Sequence, residues 1–140
     1  MTITYQNKQF YVNNSKTLLT TSNGAKVANP VFYVNSDAML NWQIIDADGN
    51  TVDLSTGAFE FIIKTNYNGA TLLDVPDGSF DSSGAAIGAI KCEANFDQAA
   101  IRTFLSNSAS ETAQCGLWCT IGGIDYLLVA FECNLFNTIY

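Results

Sequence analysis

The amino-acid sequence predicts an all-β protein: an antiparallel β-sandwich with one short helix inserted between its late strands and an extended arm before its first. Three observations lead there. From Leu40 to Lys64 apolar residues recur at every second position. Leu40, Trp42 and Ile44 oppose Asn41 and Gln43, and Phe59, Phe61 and Ile63 oppose Glu60 and Lys64, which is the period of a half-buried strand. Asp48-Gly49-Asn50, between those two runs, supplies residues that tolerate positive φ, so the chain can reverse within a few residues. Near the C-terminus Gly122-Gly123 separates two further apolar runs, as in a tight hairpin.

With 140 residues, 48% of them hydrophobic, the chain can bury one substantial core but not two. Charged residues make up only 14%, and the net charge is -7 with a pI near 4.1. Nothing in such a composition neutralises a phosphate backbone, which argues against nucleic acid as a partner. Residues Met1 to Gln6 lack the basic segment and apolar run of a secretory signal, and no later run is long enough to span a bilayer. Synthesis in a cytosol, with no membrane partner, is the expectation.

The four cysteines, Cys92, Cys115, Cys119 and Cys133, raise the question of disulfides. Cys115 and Cys119 fall in one predicted strand, where their Cα atoms stand roughly 13 Å apart, too far to bridge. Two of the three pairings remain open. Without a secretion signal, reduced and buried cysteines are the better reading. The chain has no histidine, and an isolated Cys-x-x-x-Cys is not a zinc spacing, so no metal or other cofactor is expected.

Taken in order, residues 1–30 are rich in Asn, Thr, Ser, Gln and Lys, with small apolar groups at Phe10-Tyr11-Val12 and Leu18-Leu19. That is too little to fold alone, and it reads as an arm that either adds a strand to the domain or orders on a partner. Residues 31–140 form the sandwich. Val31 to Val34 is a short strand, and Thr71 to Val75 another, followed by a Pro76-Asp77-Gly78 break and an exposed loop from Ser79 to Ala85. A strand from Ile87 to Ala94 sets Ile90 and Cys92 opposite Lys91 and Glu93. The helix starts from Asp97 as N-cap and runs to about Asn107, with Ile101, Phe104 and Leu105 as its apolar stripe and Phe96 packing back on Ile101.

The last part is a hairpin, Ala113 to Ile121 and Ile124 to Cys133. A Gly-Gly turn sets Cys119 opposite Tyr126 and Leu117 opposite Leu128 on one face, and Trp118 opposite Leu127 and Gly116 opposite Val129 on the other. Both faces are apolar. One covers the core, and the other needs cover from the helix, the arm or another subunit. Asn134 to Tyr140 is an uncharged tail of the kind that docks.

No constellation points to catalysis. Asp46 to Asp53 departs from the calcium-binding loop, since Gly49 stands fourth instead of sixth and Gly57 occupies the place of the closing glutamate, so a plain hairpin turn is expected. Asp74, Asp77 and Asp81 read as a solvated turn. The chain lacks a histidine, a nucleophile elbow and a phosphate-cradling loop, and an enzyme is not expected. The cysteines sit among apolar neighbours with no cation to stabilise a thiolate and read as core. Trp42 is in phase with Leu40 and Ile44 and belongs in the core, whereas Trp118 lies on a face without polar alternation. Tyr33 and Tyr67, near turns, are the better candidates for exposed aromatic contacts.

The succession Leu-Asn-Trp-Gln-Ile-Ile-Asp at 40–46, Asp-Gly-Asn-Thr-Val-Asp-Leu-Ser-Thr-Gly at 48–57 and Phe-Glu-Phe-Ile-Ile-Lys at 59–64 is followed by a Gly-containing strand, a short helix and Gly-Leu-Trp-Cys-Thr-Ile at 116–121. It resembles the immunoglobulin-like module at the N-terminus of siphophage baseplate upper proteins and of related phage head-fibre and tail-adaptor proteins. The resemblance covers about Val31 to Phe136, and its most specific element is Asp48 to Gly57. It implies an immunoglobulin-like sandwich and no catalytic residues. The baseplate proteins carry a long fibre or helical region after this module. Here the sequence ends at Tyr140 and the polar stretch lies on the N-terminal side, which points to a small accessory role.

The expectation is therefore a virion structural protein: a capsid decoration, head-fibre or baseplate/tail adaptor module, homo-oligomeric, docking non-covalently on other virion proteins of a capsid or tail lattice. The residues expected to dock are Phe10, Tyr11 and Leu18 in the arm, Trp118, Leu127 and Val129 in the hairpin, and Leu135, Phe136 and Tyr140 in the tail. On this reading residues 1–30 can be removed without unfolding the sandwich. The alternative is a carbohydrate-binding module that recognises a host-surface glycan through Tyr67 or Trp118.

Overall fold

A computed structural model describes residues 6–12, 18–19, 29–34, 36–46, 48–66 and 68–137 of the chain. The strands begin with β1 (Gln6–Val12), β2 (Leu18–Leu19), β3 (Val31–Tyr33), β4 (Asp37–Ile44) and β5 (Ala58–Lys64). They continue with β6 (Thr71–Val75), β7 (Phe80–Gly84) and β8 (Ala89–Asn95); a helix, α1 (Ala99–Leu105), precedes β9 (Ser110–Ile121) and β10 (Ile124–Phe136). They form two five-stranded sheets, ordered β2-β1-β4-β8-β7 and β3-β10-β9-β5-β6. Reading β4 to β10 as B, C, C′, D, E, F and G gives a B-E-D sheet facing a G-F-C-C′ sheet, the connectivity of an immunoglobulin sandwich.

Alternation in the sequence becomes alternation in burial. Every second residue of β4 and β5 is buried, Leu40, Trp42 and Ile44 from one sheet meeting Phe59, Phe61 and Ile63 from the other. Trp42 is the centre of this layer: its ring lies 4.6 Å from Phe10, 5.4 Å from Phe61 and 6.0 Å from Phe131, centroid to centroid. A second stack, Phe32 on Phe96 at 4.6 Å, ties β3 to the segment before the helix. Each such side chain taken from water contributes about 1.5–3 kcal/mol, so these few rings hold the two sheets face to face.

Several expectations change. The sandwich is mainly antiparallel, but β1 runs parallel to β4 from Gln6↔Ala38 to Val12↔Ile44, and β3 runs parallel to β10. Parallel neighbours need a long connection, and the chain between β1 and β4 supplies one by passing through β2 and β3. Residues 6–12 are therefore a strand of the sheet and not a detachable arm. Phe10 and Val12 are buried, so removing 1–30 would strip aromatic and aliphatic packing from Trp42's side of the core.

The Asp48-Gly49 turn does not close a hairpin, because β4 and β5 belong to different sheets. A single bridge, Ile45↔Thr51, closes it before the chain crosses over. Asp46 Oδ1 accepts the backbone N–H groups of Asp48 and Asn50, each at 2.9 Å, which is an Asx turn. Residues 80–84, expected as loop, form β7, an edge strand whose small polar side chains gave no alternation to read. The helix is shorter than expected. Gln98 is its N-cap, Asp97 pairs instead with Arg102, and Ser106 at φ 51° ends it.

The final hairpin turns where expected. Gly122 and Gly123 both lie in the left-handed region, at φ 59° and 80°, which the twist of a two-residue hairpin turn requires. Cys119 faces Tyr126 and Trp118 faces Leu127, but a bulge at Leu128 then shifts the register, so that Leu117 pairs with Val129 and Gly116 with Ala130. One extra residue exchanges the faces of everything beyond it, and Val129, Cys133 and Leu135 point into the core in consequence.

Replacing Phe10 with Ala is expected to destabilise the protein by about 3–5 kcal/mol, measured as a fall in the urea unfolding midpoint. A chain lacking residues 1–30 should lose cooperative unfolding altogether.

Candidate docking surfaces

Register places the outward residues of the G-F-C-C′ sheet in rows. Glu60, Trp118 and Leu127 form one row across β5, β9 and β10. On one side lie Ala58, Thr120 and Asp125; on the other lie Ile62, Gly116 and Ala130, with Asp74 of β6 beside Ile62. Trp118 is half-buried and stands between two shallow clefts. One, about 410 Å³, is lined by Glu60, Asp77, Thr120 and Asp125 among others. The other, about 170 Å³, is lined mainly by apolar groups, including Ile62, Gly116, Leu127 and Ala130. No residue of α1 lines either cleft, so the helix is not the cover that this face was expected to need.

The face is acidic. A hydrogen bond with Asp74, then burial, then the charges of Asp74 and Asp125 raise the Glu60 carboxyl above its ordinary value. Asp125 is fixed by the Thr120 hydroxyl, which donates to it at 2.6 Å. Asp77 accepts the backbone N–H of Phe59 at 2.7 Å and so secures the start of β5.

A second surface follows the other side of β10. Among the described residues β3 pairs only with Asn134 to Phe136, leaving the strand from Ile124 to Cys133 with β9 as its one neighbour. Exposed apolar side chains flank this edge. Ile124 is 56% and Tyr126 47% accessible near the hairpin tip, while Tyr33 and Phe136 meet edge to face at 5.9 Å. An edge of this length, unpaired among the described residues, is a template for a further strand.

The residues expected to dock divide accordingly. Trp118 and Leu127 lie side by side on the outer face, and Phe136 is exposed beside Tyr33. Phe10, Val129 and Leu135 are core residues, placed inside by the β1 ladder and the β10 bulge, and present nothing to a partner. Tyr11 and Leu18 belong to β1 and β2, but their side chains lie outside the described residues, as do Tyr67 and Tyr140. The sequence reading missed Glu60, Gly116 and Asp125 as neighbours of Trp118, and Ile124 and Tyr126 as exposed. Alternation marks Glu60 as outward, but only the β5–β9 register sets it against Trp118.

The four cysteines are all buried and unpaired. Burial pushes the Cys92 thiol up to about 12, with the Trp42 indole opposing the shift. Trp42 Nε1 has no partner of hydrogen-bond geometry among the described residues. Burial also raises Cys115, with Cys133 adding to it, and Cys119, with Asp77 adding to it. These thiols stay protonated and act as core filling. Among the described residues no group of three His, Cys, Asp or Glu side chains is placed to hold a metal, and no helix is long and apolar enough to cross a membrane.

No family model matches the chain, and no curated protein matches its sequence. Among solved structures the fold is similar to one described as the N-terminal domain of phage TP901-1 ORF48, with a TM-score of 0.51 and 11% sequence identity. The likeness covers 94% of this chain and 98% of that one, so the fold is matched from end to end.

The crowding of Glu60 has a measurable consequence. A carboxyl whose value is raised by folding holds its proton more tightly in the folded state. The stability it contributes is full below its ordinary 4.5 and is lost as pH rises through the raised value. Glu60→Gln keeps a donor toward Asp74 without the charge. It should stabilise the protein by about 0.5 kcal/mol near neutral pH, and the gain should vanish below pH 4.5, as followed by thermal unfolding across pH.

Proposed function

We propose that this chain is a structural module of a phage virion, seated in the tail or baseplate, that works by docking on neighbouring proteins and not by catalysis. The observation that carries the reading is the end-to-end likeness of fold to the N-terminal domain of a phage protein. The immunoglobulin-like connectivity and the sequence resemblance to baseplate upper proteins support it from a second direction. The baseplate part of that resemblance is what favours tail over capsid. The long β10 edge, with Ile124, Tyr126, Tyr33 and Phe136 exposed along it, supplies what such a module needs: backbone groups that no described residue pairs from Ile124 to Cys133 on that side, and apolar side chains to bury beside a further strand. A shallow, polar-rimmed surface without a metal cluster among its described residues suits assembly better than turnover.

An epitope-tagged copy expressed during infection should cosediment with tails and with whole particles. The double variant Tyr126→Asp, Phe136→Asp should fold, since both side chains are exposed, and should be absent from them. Wild-type protein found only in the soluble fraction would end the assembly reading.

A further inference from the structure

We propose that the outer face around Trp118 receives an arginine side chain from a partner protein. The inference rests on the reading of the chain as a docking module and adds the chemistry of what docks. Its basis is a platform with negative charge at its rim. At Gly116 a Cβ would stand 3.2 Å from Trp118 Nε1 and 3.5 Å from Leu127 Cδ1, so the bare backbone at 116 is what lets the indole fold back along the sheet beside Leu127. The ring then forms the ridge between the two clefts and closes neither.

Carboxylates surround that ridge. Glu60 is directly opposite Trp118 on β5, Asp125 lies one row away and Asp74 lies next to Glu60. Directly opposed residues of antiparallel strands stand about 5 Å apart at Cβ, so a planar cation stacked on the indole can reach the Glu60 carboxylate. The described ion pairs, Lys91 with Asp81 and Arg102 with Asp97, are elsewhere, and four carboxylates, Glu60, Asp74, Asp77 and Asp125, outnumber the single lysine among the described residues of this face. Lys64, beyond Ile62 on the same face of β5, lines both clefts, but no described ion pair joins it to these acids.

Charge decides the occupant. A second copy of this chain, with net charge -7 and the same acids on the same face, would be repelled. A cationic side chain is attracted by both the rim and the ring. Guanidinium fits better than ammonium, because it is flat, stacks on an indole and offers forked donors to carboxylates at its edge.

The test is a titration of the full chain with acetylated hexa-arginine amide, followed by the two indole N–H signals in NMR spectra. Saturable movement of the Trp118 signal with Trp42 unmoved is expected. Binding should weaken about tenfold in Trp118→Ala and by a similar factor in Glu60→Gln, Asp125→Asn, which leaves the platform intact. Hexa-lysine should bind several-fold more weakly. Equal binding by Trp118→Ala, equal binding of hexa-lysine, or no movement of the Trp118 signal would each overturn the arginine site. So would movement of that signal by maltohexaose alone, which would make the face a glycan site. Failure here with the chain still present in particles removes the site and leaves the assembly reading standing; absence from particles with arginine binding intact does the reverse.

Discussion

The contact on which the rest of the fold depends is the aromatic layer around Trp42. It lies on β4, near the middle of its sheet, and gathers Phe10 from the same sheet and Phe61 and Phe131 from the opposite one. Two sheets with little charge and mostly short strands have few other ways to stay in register. Ion pairs among the described residues are exposed and contribute little, and no disulfide ties the sheets together. Burial of rings and branched aliphatics is therefore the dominant stabilising term, and it explains why the first strand, although polar in composition, belongs to the fold: it delivers Phe10 to the layer.

The same economy accounts for the surface. With the inner faces committed to packing, β10 has to present Val129, Cys133 and Leu135 inward while keeping Tyr126 and Leu127 near the turn outside the core. A strict two-residue period cannot do both, and the bulge at Leu128 resolves the conflict. Its by-product is an outer face on which Trp118 and Leu127 stand together beside Glu60, and an edge that continues past the short β3.

A module built this way offers two kinds of contact to its surroundings. Along the β10 edge lie backbone groups unpaired among the described residues and exposed apolar side chains; on the neighbouring sheet face an indole is rimmed by carboxylates. In the docking role proposed above, the first would supply generic affinity and the second would discriminate by charge and geometry. The fold that carries both features is shared with the N-terminal domain of phage TP901-1 ORF48.

Local pattern alone determined much of the architecture. The alternation around Trp42 and Phe61, the Gly-Gly turn, the burial of all four cysteines and the exposure of Tyr33 were legible because each depends on neighbours a few residues away. What tertiary structure decided were matters of pairing between distant segments. Gln6–Val12 joins the sheet because a parallel ladder to β4 gathers seven weak contributions that its composition does not advertise. β7 is a strand because β8 lends it a partner. Val129 is inside because a bulge, invisible in hydrophobicity, moves the register by one, and Glu60 meets Trp118 because β5 and β9 align at that row. Sequence fixes which side of a strand a residue takes so long as the period holds; which residue it meets, and where the period breaks, is set by the strand beside it.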